Sequence, residues 1–448
     1  LMRDYFIRRF LLIIPTLLGI SLLVFMLIRL APGGPVQRDL QQMMGASASE
    51  GSGAAGMRES EGLSITPPQL FEIEEKHRRD KGVLRSYFEW LGILPRDLDR
   101  SAQSFEKDET KVALQVPGMN LRVDLVKDGK GGVSINIPED MKEDQKKILS
   151  ERISNDHWNA RLVSTKELSR RWQKNAKGLD VPEDLQERAI LYRSGREGLL
   201  QGSLGRSDKY GESIISLIQQ RIPISLFFGL ISMILIYGIC IPLGIVKAIK
   251  HRTWIDNLSS ILVFSGYAIP GYVLGSFLLV FLGANLDLFP LSGFVSENFD
   301  ELSTGNKILD LFHHAAMPLA CYLVGSFAFM TFMMKNNLMD NLAADYVRTA
   351  ISKGASYRTA VFHHAFRNSI IPIATTIGQN ITLIVGGSFL IETIFDINGF
   401  GLLQYNAILE KDEPVVLGVL IISAALMLLG NIISDLCVAF VDPRIRFR

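Results

Sequence analysis

The sequence has few cysteines, and none lies in a polar segment. The three present, Cys240, Cys321 and Cys437, lie in or at the edge of apolar runs. Disulfides and a cysteine-based zinc site are therefore excluded as organising features of the fold. The apolar runs also lack paired acids, a nucleophile with its base, and clustered metal ligands, all of which are costly in lipid. They give no sign of an enzyme that works inside a membrane.

Strong net charge and nucleotide-binding motifs are lacking as well. The formal net charge is +1, so no bulk field favours nucleic acid or an acidic partner. Residues 129–132 read Gly-Lys-Gly-Gly, but no Gly-Lys-Ser or Gly-Lys-Thr follows, and a hairpin turn is the favoured interpretation. Two histidine pairs, His313-His314 and His363-His364, are poor chelates, because adjacent helical residues point about 100° apart. No metal and no cofactor are expected on this chain.

Long apolar runs dominate what is present, and hydrophobic residues make up 48% of the chain. A run of about 19 residues crosses a hydrocarbon core of roughly 30 Å. The sequence predicts six transmembrane helices, at residues 10–28, 224–246, 258–282, 315–334, 370–390 and 415–433. The first run is interpreted as an anchored span, because it is longer than the apolar region of a usual signal peptide.

Basic residues mark alternate ends of these runs. They are Arg3, Arg8, Arg9, Lys247, Lys250, Arg252, Lys335, Arg348, Lys353, Arg358, Arg367, Arg444, Arg446 and Arg448. The short connections on the opposite side are acidic. Because Lys and Arg are retained on the cytoplasmic side, the pattern predicts a protein of the bacterial cytoplasmic (inner) membrane with both termini cytoplasmic.

A large insert separates the first two runs and would lie outside the cytoplasm. Residues 1–35 form the N-terminus and first helix, 36–210 the insert, and 211–448 a core of five helices. Within the insert, the Gly/Ser-rich stretch 41–63 reads as a linker. A stretch of this length is a domain and not a loop.

The insert carries both helical and strand patterns. Thr66-Pro67-Pro68 marks a helix start, and alternation on both sides of 127–132 predicts a β-hairpin within 111–138. Residues 139–198 look mainly helical, with Trp158 and Trp172 as core anchors. The predicted fold is an all-α polytopic membrane protein of six transmembrane helices, with a mixed α/β extracytoplasmic insert between the first and second.

Polar residues in the fifth run and a proline in the third are candidates for a pathway. Thr375, Thr376, Gln379 and Asn380 are uncharged, and such groups either line a water-filled path or bridge helices. Pro270 is expected to kink the third run. A kink suits a path that opens and closes, but it also occurs in static bundles.

The polar stretch between the fourth and fifth runs is predicted to form two short helices. Leu342, Val347, Ala350 and Ile351 fall near one helical face. Gly354 suits the position just after a helix, and Ser356 suits the cap of the next one. Such a helix either enters a groove on another protein or lies on anionic membrane lipid.

Several motifs together resemble the ABC-importer permeases of the oligopeptide/dipeptide class. The stretch that carries the resemblance runs from Asp345-Tyr346-Val347-Arg348-Thr349-Ala350 through Lys353-Gly354, His364-Ala365 and Arg367-Asn368 to Pro372. Further matches are Ala31-Pro32-Gly33-Gly34-Pro35, Leu204-Gly205-Arg206-Ser207, Ile241-Pro242-Leu243-Gly244-Ile245 and Val441-Asp442-Pro443-Arg444. Gly266-Tyr267-Ala268-Ile269-Pro270 and Asp287-Leu288-Phe289-Pro290-Leu291 are most similar to the branch associated with microcin C and peptide uptake.

The resemblance implies that residues 343–360 form a cytoplasmic coupling helix that docks into an ATPase subunit. Its implied contact residues are Ala344, Asp345, Tyr346, Arg348, Thr349, Ala350, Lys353, Gly354 and Ser356. The implied partners are a homologous second permease, two ABC ATPases that hold ATP and Mg²⁺, and an extracytoplasmic solute-binding protein. Ile351 and Ser352 depart from the motif, which usually has a basic and a small apolar residue there.

The resemblance leaves the insert and the cargo open. It covers residues 2–40, 66–95 and 198–448, and the extra module at about 96–197 has no recognised counterpart. The implied function is half of a translocation pathway for peptides or peptide-like solutes. Nickel, glutathione or oligosaccharide cargo, a membrane-anchored enzyme and a non-transport membrane scaffold are the alternatives.

Overall fold

The computed structural model of the chain describes residues 2–31, 34–40, 66–129, 131–175, 180–386 and 388–441. The chain divides into two compact units: Leu1–Val24 with Arg206–Arg448, and Phe25–Gly205. The first helix, α1 (Met2–Leu30), contains the boundary between them. The predicted linker 41–63 lies outside the described residues.

The smaller unit mixes helices and strands, as the sequence predicts. Its helices and strands in chain order are α2 (Pro67–Lys76), α3 (Val83–Leu91), β1 (Arg96–Ser104), β2 (Lys111–Gln115), β3 (Arg122–Asp128), β4 (Gly132–Asn136), α4 (Glu143–Asn155), β5 (Trp158–Val163), α5 (Thr165–Asn175) and β6 (Arg188–Gly195). Two antiparallel sheets form, with strand orders β1-β6-β5 and β2-β3-β4. The predicted hairpin is β3 and β4, paired from Asp124 with Asn136 to Asp128 with Gly132.

The predicted helix start at Thr66 is confirmed. Pro67 occupies the first helical turn of α2, where its missing N–H costs nothing. The backbone N–H of Thr66 donates to Oε1 of Gln69 at 3.2 Å, which satisfies a donor at the exposed end of the helix.

The prediction that residues 139–198 are mainly helical is correct only in part, because α4 and α5 lie there together with two strands. β5 and β6 lie within that range, and β6 pairs with strands on both sides. Ile190 belongs to one apolar cluster, with Leu70 and Trp172, whereas Leu191 belongs to another, with Trp158. A strand that is buried on both faces does not show the apolar–polar alternation by which strands are recognised. Trp158 and Trp172 are core residues, as predicted.

The larger unit is helical in its described residues. After α1 its elements are α6 (Ile214–Ile249), α7 (Trp254–Tyr267), α8 (Gly271–Leu278) with a π-helix (Leu279–Asn285), α9 (Thr304–Ala343), α10 (Asp345–Ser352), α11 (Tyr357–Thr359) with a π-helix (Ala360–Ala365), α12 (Phe366–Ser369), α13 (Ile371–Gly386), α14 (Phe389–Ile394), α15 (Phe400–Leu409) and α16 (Glu413–Val441).

The structure does not confirm the count of six spans. Four helices among the described residues, which begin at Asp4, Ile214, Thr304 and Glu413, are long and apolar enough to cross a membrane. A fifth results if α7 and α8 are one span, bent by 87°. This break falls at Pro270, so the predicted kink is confirmed. The predicted fifth span corresponds to α13, which has only 16 residues.

Close helix crossings in this unit depend on glycine. A Cβ at Gly244 of α6 would lie 2.6 Å from Cβ of Met334 on α9. A Cβ at Gly378 of α13 would collide with the carbonyl oxygen of Gly430 on α16. Small residues at such crossings let two backbones approach each other, which is the usual way that helices associate in membranes.

Candidate functional site

The 343–360 segment consists of a short helix with a defined start and stop. Ala344 is extended, with φ −71° and ψ 146°, and α10 begins directly after it. Gly354 follows the helix with φ +93°, a left-handed conformation that favours glycine. The Ser356 hydroxyl then accepts the N–H of Thr359 at 3.2 Å and caps α11. The predicted roles of Gly354 as a helix stop and Ser356 as a cap are both confirmed.

One side of α10 is anchored in the core of the unit. Val347 is fully buried, in a cluster that includes Cys240 of α6, Leu338 of α9 and Ala365 of the adjoining π-helix. The hydroxyl of Tyr346 donates to Oδ1 of Asn341 at 2.6 Å, which ties α10 to the end of α9. Any force on α10 therefore acts on α6 and α9 through packed side chains.

The other side of the segment is open. Large apolar or aromatic side chains are exposed in this segment and just after it: Tyr346 by 41%, Ile351 by 45%, Tyr357 by 55% and Phe362 by 45%. Ile351 follows Val347 by four residues and so lies near the same helical face, as predicted, but its side chain is exposed and that of Val347 is buried. Several exposed apolar side chains in and after a short exposed helix are typical of a surface that another protein covers.

The residues proposed for ATPase contact fall mainly on this open side. Exposed are Asp345, Tyr346, Arg348, Thr349, Lys353, Gly354 and Ser356, whereas Ala344 and Ala350 are half-buried. The carboxylate of Asp345 is 99% exposed and lies 3.9 Å from the guanidinium of Arg348. Such a surface pair contributes little to stability.

A buried group of three charges joins α6, α7 and α9. Asp256 accepts hydrogen bonds from Nζ of Lys335 at 2.7 and 2.8 Å, and Nζ of Lys247 lies 3.1 Å from Oδ1. Lys247 also donates to the carbonyl of Asp256 and the hydroxyls of Ser259 and Ser260, at 2.7–2.9 Å. The sequence assigned Lys247 and Lys335 to loops, but both lie inside helices, with exposures of 0% and 8%. This three-residue cluster was missed because Lys335 is 79 residues from Asp256, and because Lys247, nine residues before Asp256, was placed outside the second apolar run.

The pathway candidates do not share one environment. Thr376 is buried, and its hydroxyl lies 2.8 Å from the hydroxyl of Tyr237 on α6, so it bridges helices. Asn380 donates to the same Tyr237 oxygen at 2.7 Å, and it also lines a cavity of about 260 Å³. Pro270 is exposed at the bend next to that cavity, and the side chain of Gln379 lies outside the described part of the chain.

The cavity lies between α6, α8, α9, α13 and α14. Its lining combines apolar and hydroxyl-bearing residues: Gly229, Ser232, Met233, Ile236, Gly271, Tyr272, Cys321, Tyr322, Gly325, Ser326, Asn380, Ser388 and Ile391. None of these is charged. No group of three or more His, Cys, Asp or Glu in the described part of the chain is placed to hold a metal ion.

A buried carboxyl follows the cavity on the short helix α14. Glu392 is 2% exposed, and its Oε2 accepts the N–H of Leu402 at 2.7 Å. A Cβ at Gly399 would lie 2.6 Å from the same carboxyl, so glycine is needed for this approach. Burial raises the pKa of Glu392 to about 7, although the N–H groups of Leu402 and Gly401 act in the opposite direction.

Comparison with known proteins finds one family match. The family of binding-protein-dependent transport system inner membrane components matches residues 240–447. The chain is 34% identical over 271 residues to the oligopeptide transport system permease protein AppB of Bacillus subtilis, covering 60% of this chain and 83% of that protein.

Two further relatives are similar to part of the chain. The dipeptide transport system permease protein DppB of Lactococcus lactis is 31% identical over 274 residues, 61% of this chain and 84% of that protein. The inner membrane ABC transporter permease protein YejB of Escherichia coli O157:H7 is 41% identical over 238 residues, 52% of this chain. The match covers 65% of that protein's length.

Proposed function

The chain belongs to the family of binding-protein-dependent transport system inner membrane components, and we propose that it is a permease subunit of an ATP-driven ABC importer for peptides or peptide-like solutes. It forms half of the translocation pathway with a homologous second permease. Two ABC ATPase subunits bind ATP and Mg²⁺, and an extracytoplasmic solute-binding protein delivers the cargo. The relatives named for oligopeptide and dipeptide transport support this choice of cargo.

The observation that carries the proposal is the two-sided 343–360 segment. Its exposed surface, which includes Tyr346 and Ile351, each about half exposed, enters the ATPase groove. Its buried side, at Val347, is continuous with the packing of α6 and α9. A helix that is anchored in one protein and docked in another transmits movement between them.

Movement of the ATPases reaches the spans through this packing. When the ATPases close on ATP, the groove that holds α10 is displaced, and Val347 carries Met334 and Cys240 with it. Closely packed side chains move together as a rigid group, because a packed core does not deform gradually under force. The spans thereby change between outward-facing and inward-facing arrangements. ATP shifts the equilibrium between these two arrangements because it binds to the complex with a different affinity in each of them.

We place both termini and the 343–360 segment in the cytoplasm and the 36–210 insert outside it. The distribution of Lys and Arg along the sequence supports this orientation. The function of the insert is to dock or gate the solute-binding protein at the outer mouth. If deletion of residues 96–197 leaves both affinity for that protein and uptake unchanged, this function is wrong.

The proposal is tested by reconstitution. The chain is purified with the permease, ATPase and binding-protein subunits that co-isolate with it and is placed in liposomes. Uptake is then measured for labelled peptides, Ni²⁺, glutathione and an oligosaccharide. We expect peptide uptake that requires both ATP and the binding protein. ATP hydrolysis with uptake of another solute would replace the peptide assignment, and assembly without hydrolysis or uptake would indicate a scaffold.

A further inference from the structure

A basic cleft lies in the smaller unit, between the loop that follows α2 and the helix α5. Its volume of about 490 Å³ is within the range of typical ligand sites, roughly 300–1,000 Å³. Lys166, Arg170 and Lys174 line one wall, and all three are exposed. They follow one another at intervals of four residues, so they lie along one face of α5. A ligand in the cleft can therefore reach all three cations from solvent.

The charges of these three side chains are not neutralised by their neighbours. Other charges in the lining are paired: Lys81 with Glu89 and Asp97, Arg171 with Glu74 and Glu75, and Asp80 with Arg100 and Arg161. Among the described residues, the side chains of Lys166, Arg170 and Lys174 form no ion pair or hydrogen bond. The same is true, within the described part of the chain, of the lining acid Glu167. Three unpaired positive charges and one negative charge favour an anionic ligand.

The cleft adjoins the end of the first predicted span. Arg79 also lines the cleft, and it donates to the carbonyls of Arg29 and Ile28 at 3.0 and 3.4 Å. Arg29 in turn donates to the carbonyl of Arg78 at 2.9 Å. Burial and the nearby guanidinium of Arg29 lower the pKa of Arg79 to about 10, so Arg79 is still a cation at neutral pH. Because Ile28 is the last residue of the predicted span, the cleft begins at the membrane surface.

The helix α3, which starts directly after the lining residue Gly82, exposes apolar side chains. Tyr87 is buried on one side of this helix, and its ring centroid lies 5.5 Å from that of Phe25 on α1. Leu84 and Phe88, one turn apart, are 55% and 40% exposed. Large apolar side chains on an amphipathic helix at the end of a span are typical of the membrane interface, where they enter the boundary between headgroups and acyl chains.

We propose that the cleft binds the headgroup of an anionic phospholipid, whose phosphate interacts with Lys166, Arg170 and Lys174. The acyl chains of this lipid contact Leu84 and Phe88 on α3. A lipid accounts for both features, because a free phosphate ion has no apolar part and an acidic protein does not require a site at the end of a span. The inference rests on the placement of α1 in the membrane under the proposed function, and it goes beyond transport by giving the insert a contact with lipid.

The test measures lipid binding to the purified full chain in a non-ionic detergent. Titration with dioctanoyl phosphatidylglycerol and dioctanoyl phosphatidylcholine, followed by native mass spectrometry, gives a Kd for each lipid. We expect wild type to bind phosphatidylglycerol more tightly, because phosphatidylcholine has no net charge. Arg170→Gln and Lys174→Gln should each weaken phosphatidylglycerol binding about fivefold and leave phosphatidylcholine binding nearly unchanged. Lys147→Gln is the matched control, since Lys147 is also exposed but lies on α4, outside the cleft lining, and both Kd values should stay the same.

A second pair of variants tests the apolar contact. Leu84→Ser should weaken the binding of both lipids about fivefold and leave the ratio of their Kd values unchanged, because an apolar contact does not depend on headgroup charge. Ile148→Ser is its control: Ile148 is 56% exposed, close to the 55% of Leu84, but it belongs to α4. It should change neither Kd.

Two competitors distinguish the possible occupants of the cleft. Inorganic phosphate or hexaglutamate is added to the complex of wild type with phosphatidylglycerol, and we expect neither to displace the lipid at equimolar concentration. Displacement by inorganic phosphate would indicate a site for free phosphate, displacement by hexaglutamate would indicate an acidic protein partner, and either result would overturn the inference. Equal Kd values for the two lipids in wild type, or equal losses in Arg170→Gln and Lys147→Gln, would overturn it as well.

The inference and the proposed function fail in different ways. If the chain binds phosphatidylglycerol as expected but the reconstituted complex takes up no solute, the lipid assignment stands and the proposed transport function is wrong. If the complex takes up peptide while wild type binds the two lipids with equal Kd, the lipid assignment is wrong and the importer stands.

Discussion

Replacing Asp256 by Asn removes the carboxylate that both Lys247 and Lys335 contact. Asn preserves the shape of the side chain and one oxygen acceptor, so the main change is the loss of charge. The two lysine residues are only 0% and 8% exposed, so their ammonium groups would remain buried without a counter-charge. Breaking a buried ion pair by removing one partner costs about 3–5 kcal/mol. We expect the thermal unfolding midpoint of the purified protein to fall by several degrees.

Two further variants make this prediction specific. Asp345→Asn removes a carboxylate that is 99% exposed, and the unfolding midpoint should stay the same. The double variant Asp256→Asn with Lys335→Met should recover much of the lost stability, because one uncompensated charge is removed. Lys247 then keeps its three other oxygen partners. An Asp256→Asn protein as stable as the wild type would refute the reasoning that this carboxylate neutralises both lysines.

Two other predictions concern buried carboxylates. Glu392 has a folded-state pKa of about 7 and an ordinary value of 4.5, so its contribution to stability is full below pH 4.5. That contribution, on the order of 3 kcal/mol, is lost as the pH rises through 7. Unfolding midpoints measured from pH 4 to 8 should therefore decrease in wild type, and this decrease should be absent in Glu392→Gln. Asp412 is 1% exposed and accepts the Ser207 hydroxyl at 2.5 Å and the backbone N–H groups of Asp208, Lys209 and Val415 at 3.3–3.4 Å. Asp412→Ala should therefore lower the unfolding midpoint, and a midpoint equal to that of wild type would contradict this prediction.

Local signals in the sequence predicted local structure well. Pro270 marked the bend, and Gly354 and Ser356 marked the end of one helix and the start of the next. In each case the conformation depends on one residue and its immediate neighbours. Pro270 lacks a backbone N–H, Gly354 adopts a left-handed φ of +93°, and the hydroxyl of Ser356 caps a helix. No tertiary contact is needed to specify them.

Features that depend on distant residues were missed or misassigned. Asp256 and Lys335 are 79 residues apart, and nothing in either neighbourhood indicates the other. Lys335 was placed outside the fourth apolar run because a window of sequence cannot show that a carboxylate from another helix neutralises it. Lys247 was placed outside the second run although Asp256 is only nine residues away, because the sequence did not show that the helix continues past Val246 to Ile249. For Thr376 and Asn380, the sequence left a path and a helix bridge open. The structure gives Thr376 a bridging contact with Tyr237 and places Asn380 at both that bridge and the cavity.

The central claim is that the 343–360 segment couples ATP hydrolysis to transport, and Gly354 offers the most direct test. A Cβ at Gly354 meets no described atom within 4 Å, so a side chain that begins there does not clash with this chain at its first atom. Gly354→Ala is the control for backbone strain, since it must adopt the same φ of +93° with little added volume.

The measurement is the number of peptides transported per ATP hydrolysed by reconstituted complexes that contain wild type, Gly354→Ala or Gly354→Trp. We predict that all three proteins insert into the membrane and that the Ala variant transports about as many peptides per ATP as wild type. The Trp variant should hydrolyse ATP but transport about tenfold fewer peptides per ATP, or fewer still, because docking is blocked. Normal transport per ATP by Gly354→Trp would contradict the docking assignment.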